Sequence, residues 1–151
     1  MKISDLLNEG NTIADLSVAN KEEAITKLVS TMQDAVGPEL TQVALKAVLE
    51  REAVMSTGVG KGLAIPHGRV KGIEENYVAF GRLSSSIEYG SIDQKPVTMI
   101  FLLIGPESQS SQHIKLLSRI SKLMNNDEFR DHVSNCATSA EIIAAFQREE
   151  A

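Results

Sequence analysis

Cysteine, aromatic residues and long apolar runs are all scarce in this sequence of 151 residues. Its one cysteine, Cys136, excludes an internal disulfide, and no charged segment precedes a signal-like apolar run. We therefore expect a reducing, cytoplasmic compartment. The longest apolar run, 99–104, is far shorter than the roughly 18 residues that a membrane-spanning helix needs. Direct membrane insertion is not expected.

An excess of positive charge is also lacking. The net charge is -5 and the isoelectric point is about 5.2, with the basic residues scattered along the chain. Only 4% of the residues are aromatic, which leaves few rings to stack on bases. A protein that follows nucleic-acid phosphates needs clustered lysine or arginine. The composition therefore excludes nucleic acid as an expected partner.

Three common motifs of catalytic or ligand-binding sites are missing. The glycines around Lys61 do not form a P-loop, because Met55 stands where its first glycine belongs and Gly62 where its serine or threonine belongs. The same glycines miss the dinucleotide-binding spacing by one residue and follow a helical pattern instead of a strand. No G-x-S-x-G is present, which disfavours a hydrolase built on a nucleophile elbow.

A zinc site would have too few ligands. The candidates are His67, His113, His132 and Cys136, and only the last two have the i,i+4 spacing of a helix. Zinc sites use three or four protein ligands, so this pair does not make one. A solvated His132 and a small, buried Cys136 are the simpler interpretations.

The sequence does contain alternating helical and strand patterns. Apolar residues at helical spacing predict a helix over 21–36, with Asn20 as its N-cap, and a second helix over 39–54. Apolar runs and alternation predict three strands. These strands span 63–66, 77–83 and 97–104.

The last third of the chain is predicted to form three short helices. Asn126 predicts the start of the second of them, and Thr138 with Glu141 predicts a capping box at the start of the third. Their apolar stripes are Ile114, Leu117, Ile120, Leu123 and Met124, then Phe129 and Val133, then Ile142, Ile143 and Phe146. No repeat or linker divides the chain, so we expect one α/β domain over 1–151, with helices on both faces of a sheet.

His67 stands out because it lies between proline and glycine, just after a glycine-rich stretch that begins at Ser56. Pro66 fixes its own φ angle, and Gly68 lets the chain turn without crowding the imidazole. Such a ring can project from a strand end. Two interpretations remain open from these residues alone: a histidine bonded into the core, or a catalytic histidine beside a loop whose N–H groups can face an anion.

The segment REAVMSTGVGKGLAIPHGRV, residues 51–70, resembles the phosphorylation-site segment of fructose/mannitol-type enzyme IIA proteins of the bacterial phosphoenolpyruvate-dependent phosphotransferase system, including their nitrogen-regulatory branch. VTMIFLLIGPESQSSQHIKLLSRISKLMNNDEFRDHV, residues 97–133, is similar to that family's strand, loop and helix with a second histidine. The resemblance implies a three-layer α/β/α sandwich with a mixed parallel and antiparallel sheet. It also implies a first strand over 12–16.

The resemblance assigns roles to individual residues. It implies that His67 is phosphorylated and that His113 and Arg51 are its active-site partners. The start of a helix around His113 would favour an anion. The small residues that lead into the phosphoryl-binding loop are Ser56, Thr57 and Gly58. Gln94 stands where many relatives have glycine, which brings the local turn into question.

The function implied is that of a phosphocarrier, a phosphotransferase intermediate that needs neither cofactor nor metal. A neutral imidazole can attack phosphorus with one nitrogen while the other holds the ring. Its expected partners are an HPr-type phosphocarrier protein and either a IIB protein or a regulatory target. Because no IIB or IIC segment is attached, we expect the nitrogen-regulatory branch, although stand-alone sugar-specific IIA proteins of this type also exist. The alternative is a binding module in which His67 is only structural.

Overall fold

The computed structural model describes all residues from Met1 to Ala151. A short 3-10 helix, Ile3–Leu6, comes first. The helices are α1 (Lys21–Ser30), α2 (Gln33–Val36), α3 (Pro38–Val54), α4 (Ser110–Met124), α5 (Asp127–Asn135) and α6 (Ser139–Glu149). The strands are β1 (Thr12–Leu16), β2 (Gly58–Gly60), β3 (Leu63–Ala64), β4 (His67–Val70), β5 (Tyr77–Ile87) and β6 (Val97–Pro106). None of the helices combines the length and apolarity needed to cross a bilayer.

The strands form one mixed sheet of six, in the order β1-β5-β6-β3-β2, with β4 also paired to β6. β6 runs antiparallel to β5 and parallel to both β3 and β4. β1 lies parallel to β5 at the far edge. This arrangement confirms the mixed sheet and brings the short strand that begins at His67 against the central β6.

The sheet separates two apolar cores, because successive side chains of β6 point to opposite faces. Ile100, Leu102 and Ile104 pack with α1 and α3 in one core. Phe101 and Leu103 pack with α4, α5, α6 and the 3-10 helix in the other. The predicted three-layer sandwich with helices on both faces is therefore confirmed.

The predicted helix over 21–36 is wrong in its length, because the structure divides it into α1 and α2. The N-cap is confirmed, since the Asn20 side chain accepts from the Glu23 N–H at 2.9 Å. The break follows Ser30 and Thr31, whose hydroxyls donate to the carbonyls of Lys27 and Leu28. Such side-chain bonds compete with the helical ladder.

The predicted strand over 63–66 is confirmed only at its start, where Leu63 and Ala64 form β3. Ile65 and Pro66 lie outside the strands, and a further strand, β4, begins at His67. Pro66 has no N–H to give to the sheet, although its carbonyl accepts from the Leu103 N–H at 3.1 Å. The glycines between α3 and β3, predicted to be loop, form the short strand β2, which pairs with β3.

The predicted apolar stripe of α4 is displaced by about one residue. The buried residues of this helix are His113, Leu116, Ile120 and Met124, whereas Ile114 is 64% exposed. Periodicity identified the helix, but the sheet decides which face it covers. His113 therefore enters the interior and Ile114 lies on the open surface.

The turn at Gln94 keeps the backbone that glycine would favour. Gln94 has a φ of 60°, in the left-handed region, and its N–H donates to the Ser91 carbonyl at 2.9 Å. Asp93 accepts from the N–H groups of Lys61 and Lys95. Gln94 therefore adopts the left-handed backbone that glycine would favour, and Asp93 connects this turn to Lys61 between β2 and β3.

Candidate active site

His67 is the first residue of β4, and its ring is half-buried at the surface of the sheet. Its Nδ1 lies 2.9 Å from the carbonyl oxygen of Ile65. A carbonyl only accepts, so this partner assigns the proton to Nδ1 and leaves the lone pair on Nε2. Burial lowers the pKa of His67, and so does the charge of Arg51, while the Ile65 bond and the charge of Glu52 oppose the change. The neutral, nucleophilic form is favoured.

His113 lies beside it, with the two ring centres 5.7 Å apart and the ring planes at 55°. It is 5% exposed, and its Nδ1 is buried without a hydrogen-bond partner. Burial, followed by the nearby charges of His67 and Arg69, lowers its pKa from 6.5 to about 4. His113 is therefore neutral at neutral pH.

The close approach of His113 to the sheet depends on Gly105. A Cβ at this position would lie 2.9 Å from His113 Nδ1 and 2.8 Å from Asn76 Oδ1, which is also buried without a partner. The glycine therefore makes room for two polar side chains. The His113 N–H already donates to the Gln109 carbonyl at 3.0 Å. Its contribution to the site is therefore the ring and not the helix N–H.

Arg51 belongs to the last turn of α3, where one guanidinium nitrogen, Nη1, donates to the Met55 carbonyl at 2.9 Å. Arg51, His67 and Leu117 separate two open cavities and line both of them. The cavities have volumes of about 710 and 720 Å³, and His113 lines the second. The three residues to which the resemblance assigns catalytic roles thus line one cavity.

The loop residues Ser56, Thr57 and Gly58 use most of their polar groups in hydrogen bonds to one another and to buried residues. The Ser56 hydroxyl donates to the Tyr89 carbonyl at 3.3 Å and accepts from the Gly58 N–H at 3.1 Å. The Thr57 N–H and hydroxyl both donate to the carboxylate of Glu52. The phosphoryl-binding role of Ser56, Thr57 and Gly58 stays a prediction, and two of their N–H groups already have acceptors.

Sequence reasoning missed Arg69, which lies two residues after His67 on β4 and donates to the Ser110 hydroxyl. Strand alternation is the signal that could have found it, because residues two apart share a face. Arg69 lines the same cavity as Arg51 and His113. The site therefore holds a second guanidinium near the two imidazoles.

Exposed apolar side chains surround His67. Seven large apolar residues of the chain are exposed, and five of them line the two cavities. These five, which we call the apolar rim, are Val54, Met55, Val59, Ile92 and Ile114. Exposed apolar side chains grouped around polar residues are typical of a surface that binds another protein.

No group of three or more histidine, cysteine, aspartate or glutamate side chains is arranged to hold a metal ion. His132 is exposed on α5. Cys136 is buried, and its Sγ lies 3.4 Å from the His132 carbonyl. These two residues lie in the C-terminal helical segment and line neither cavity at His67.

Known proteins resemble the chain over nearly its full length. It is 34% identical over 128 residues to the nitrogen regulatory protein of Bradyrhizobium diazoefficiens, an alignment that covers 85% of this chain and 83% of that protein. It is 31% identical over 143 residues to the PTS system fructose-specific EIIABC component of Bacillus subtilis. This alignment covers 95% of the chain but only 22% of the Bacillus protein.

Two solved structures have the same fold. The nitrogen regulatory protein IIA-Ntr from Neisseria meningitidis aligns with a TM-score of 0.88 and 26% identity, over 95% of this chain and 98% of that one. Enzyme IIAMTL from Escherichia coli, in its complex with phosphorylated enzyme IIBMTL, aligns with a TM-score of 0.78 over 94% and 97%. At 18% identity the second likeness shows the fold alone.

The profile of one protein family covers residues 5–149, which include every element from the end of the 3-10 helix to the end of α6. This range contains both imidazoles and Arg51. The chain belongs to the family described as phosphoenolpyruvate-dependent sugar phosphotransferase system, EIIA 2.

Proposed function

We propose that this chain is a phosphocarrier that accepts a phosphoryl group on Nε2 of His67 from a phosphorylated HPr-type protein. The observation that carries the proposal is the bond between His67 Nδ1 and the Ile65 carbonyl, which leaves Nε2 as the free nitrogen. A nucleophile needs an available lone pair, and a carbonyl on the opposite nitrogen both orients the ring and stabilises the positive charge that it gains.

The transfer exchanges one phosphorus–nitrogen bond for another. The lone pair of His67 Nε2 attacks the phosphorus, and the bond to the donor's histidine nitrogen breaks, so that this nitrogen keeps the electron pair. The proton on Nδ1 of His67 stays in its bond to Ile65. Since no other proton has to move, the protein's main task is positioning and charge stabilisation.

Arg51 and His113 are suited to bind the phosphoryl oxygens. A guanidinium offers several N–H donors in one plane, and only Nη1 of Arg51 is used by Met55. Burial holds His113 neutral. In the tautomer that carries its proton on Nε2, this ring can donate a hydrogen bond without placing a second positive charge beside His67. This role stays a prediction, as does that of the loop.

The apolar rim supports a protein as donor and acceptor. A small metabolite would not require exposed valine, isoleucine and methionine side chains around the nucleophile, whereas a protein surface carrying a phosphohistidine would bury them. A IIB-type acceptor is proposed because the Escherichia coli relative is described in complex with phosphorylated enzyme IIBMTL. A regulatory target is the other proposed outlet, and relatives named nitrogen regulatory protein favour it. A cytoplasmic location stays a prediction.

The test is phosphorylation with phosphoenolpyruvate, enzyme I and HPr, followed by intact-mass and peptide analysis. We expect an acid-labile gain of one phosphoryl group on His67, lost in His67→Ala and kept in His132→Ala, the matched control at an exposed histidine. A label on another residue would move the site. No label on the folded wild-type protein would favour the binding module with a structural His67.

Arg51→Lys provides a second test, because lysine keeps the charge but not the planar set of donors. We expect slower transfer through His67 at unchanged thermal stability. Arg148→Lys, in the last turn of α6, is the matched control. Equal, unimpaired transfer by both variants would show that transfer does not depend on the planar donors of Arg51.

A further inference from the structure

An ion pair lies beneath the loop that precedes His67. The Lys21 ammonium is 3.0 Å from Glu52 Oε1, and the Glu52 side chain is 5% exposed. Lys21 also lies 4.4 Å from the centre of the Tyr89 ring, within cation–π range. Desolvating such a pair is costly, and a buried ion pair is weak evidence for stability. Its position under the loop suggests that it organises the loop.

The carboxylate of Glu52 binds Thr57 twice. Oε1 accepts from the Thr57 N–H at 3.0 Å, and Oε2 accepts from the Thr57 hydroxyl at 2.5 Å. That hydroxyl lies 3.1 Å from the Tyr89 hydroxyl. Because the only proton of the Thr57 hydroxyl goes to Glu52, Tyr89 is the donor in the second contact. Both hydrogen-bond donors of Thr57 are therefore fixed by one carboxylate.

Two further hydrogen bonds connect Thr57 to the nucleophile. The Thr57 carbonyl accepts from the Ile65 N–H at 3.0 Å. The Ile65 carbonyl in turn accepts from His67 Nδ1 at 2.9 Å. An unbroken series of contacts thus runs from Lys21 through Glu52, Thr57 and Ile65 to the His67 ring.

We propose that Glu52, held by Lys21, is a positioning residue that fixes the Ile65 carbonyl through Thr57 and so keeps the proton of His67 on Nδ1. The Glu52 side chain bonds to Lys21 and Thr57 and lines neither of the two cavities at His67. Its effect is to keep Nε2 free of a proton. The proposal rests on the proposed phosphocarrier function, since it concerns the readiness of that nitrogen.

Glu52→Gln is the first test. Glutamine keeps the shape of glutamate, but its amide N–H₂ would face the Thr57 hydroxyl, which donates a hydrogen bond to the carboxylate in the wild type. ¹⁵N NMR of the unphosphorylated imidazoles reports the tautomer directly. We expect the wild type to hold the Nδ1–H form of His67 and the variant to populate the Nε2–H form as well. The matched control is Glu22→Gln, an exposed glutamate on α1.

The rate of phosphoryl transfer from the donor is the second readout. In Glu52→Gln we expect kcat to fall on the order of tenfold, as for other residues that orient a functional histidine. We expect KM for the donor protein to stay within about twofold, because the apolar rim is unchanged. Lys21→Arg, which keeps a cation, should retain the rate, and Lys21→Met should lower it.

If Glu52→Gln does not fold, Thr57→Val and Thr57→Ser replace it, because only the serine keeps the hydroxyl that donates to Glu52. A tautomer shift in the valine variant that is absent in the serine variant supports the proposal. An unchanged His67 tautomer in every folded variant overturns it, even where the rate falls. If the wild type accepts no phosphoryl group, the proposed function fails, and the tautomer alone decides the role of Glu52.

Discussion

Acid should destabilise this protein through His113. The ring is buried against the sheet, and its pKa in the folded state is about 4, against an ordinary value of 6.5. Above pH 6.5 the ring is neutral in both the folded and the unfolded chain. Between pH 6.5 and about 4, His113 is largely protonated in the unfolded chain but largely neutral in the folded protein. The stability linked to this ring is therefore present above the unfolded pKa and is lost as the pH falls through the folded one.

The magnitude follows from the two pKa values. A gap of about 2.5 pH units at about 1.36 kcal/mol per unit gives a loss on the order of 3 kcal/mol. Domains of this kind have unfolding free energies of about 5–15 kcal/mol, so the loss is a substantial part of the total. We therefore expect mild acid to destabilise the fold.

The assay is urea unfolding of the wild type and His113→Gln, from about pH 7.5 to about pH 4. Glutamine does not titrate, and the difference between the two proteins cancels the carboxylates that both share. We expect the stability of the wild type relative to the variant to fall by about 3 kcal/mol over this range. His132→Gln, at an exposed site, should show no such slope. A pH-independent difference between wild type and His113→Gln would refute the reasoning.

Three further predictions concern stability. Gly58→Ala should cost about 1–3 kcal/mol in urea unfolding, because the new Cβ would lie 2.2 Å from the Ser91 hydroxyl oxygen and 2.9 Å from its Cα; an unchanged midpoint would contradict this. Arg82→Met should lower the melting temperature but leave phosphorylation intact, since Arg82 donates to four backbone carbonyls, three of them at the end of α5. Glu150→Gln should lose stability at neutral pH. Burial alone would raise the pKa of Glu150, but hydrogen bonds from the 3-10 helix and Arg119 lower it overall. The difference in unfolding free energy between the wild type and the variant should therefore shrink as acid protonates the carboxylate. A difference that stays constant with pH would refute this.

The sequence by itself determined the local elements. The predicted caps at Asn20, Asn126 and Thr138 are confirmed, since each side chain accepts a hydrogen bond from the N–H three residues ahead. Such a cap depends on residues that are close in the sequence, so it can be predicted from the sequence. The apolar run that became β6 is confirmed because a strand buried on both faces must be apolar throughout. The first strand, β1, agrees with the resemblance, although its own periodicity is weak.

The resemblance also named three residues of the candidate site, but not their surroundings. The structure brings His67, His113 and Arg51 together, as the resemblance implied. The pattern PHG marked His67, whereas nothing in the spacing of Glu52 marked it as more than a helix charge.

Tertiary structure alone decided which face of α4 is buried and what lies beneath the loop. Periodicity describes the apolar face of one element but not the surface that another element presents to it. Gly105 opens a place on β6, so α4 turns His113 inward and leaves Ile114 exposed. Lys21 and Glu52 lie 31 positions apart in the chain, and Thr57 and Tyr89 lie 32 apart. Contacts at that separation form only when α1, α3 and the end of β5 pack together. They surround the loop that precedes His67, a residue that the sequence pattern singled out without showing what lies around it.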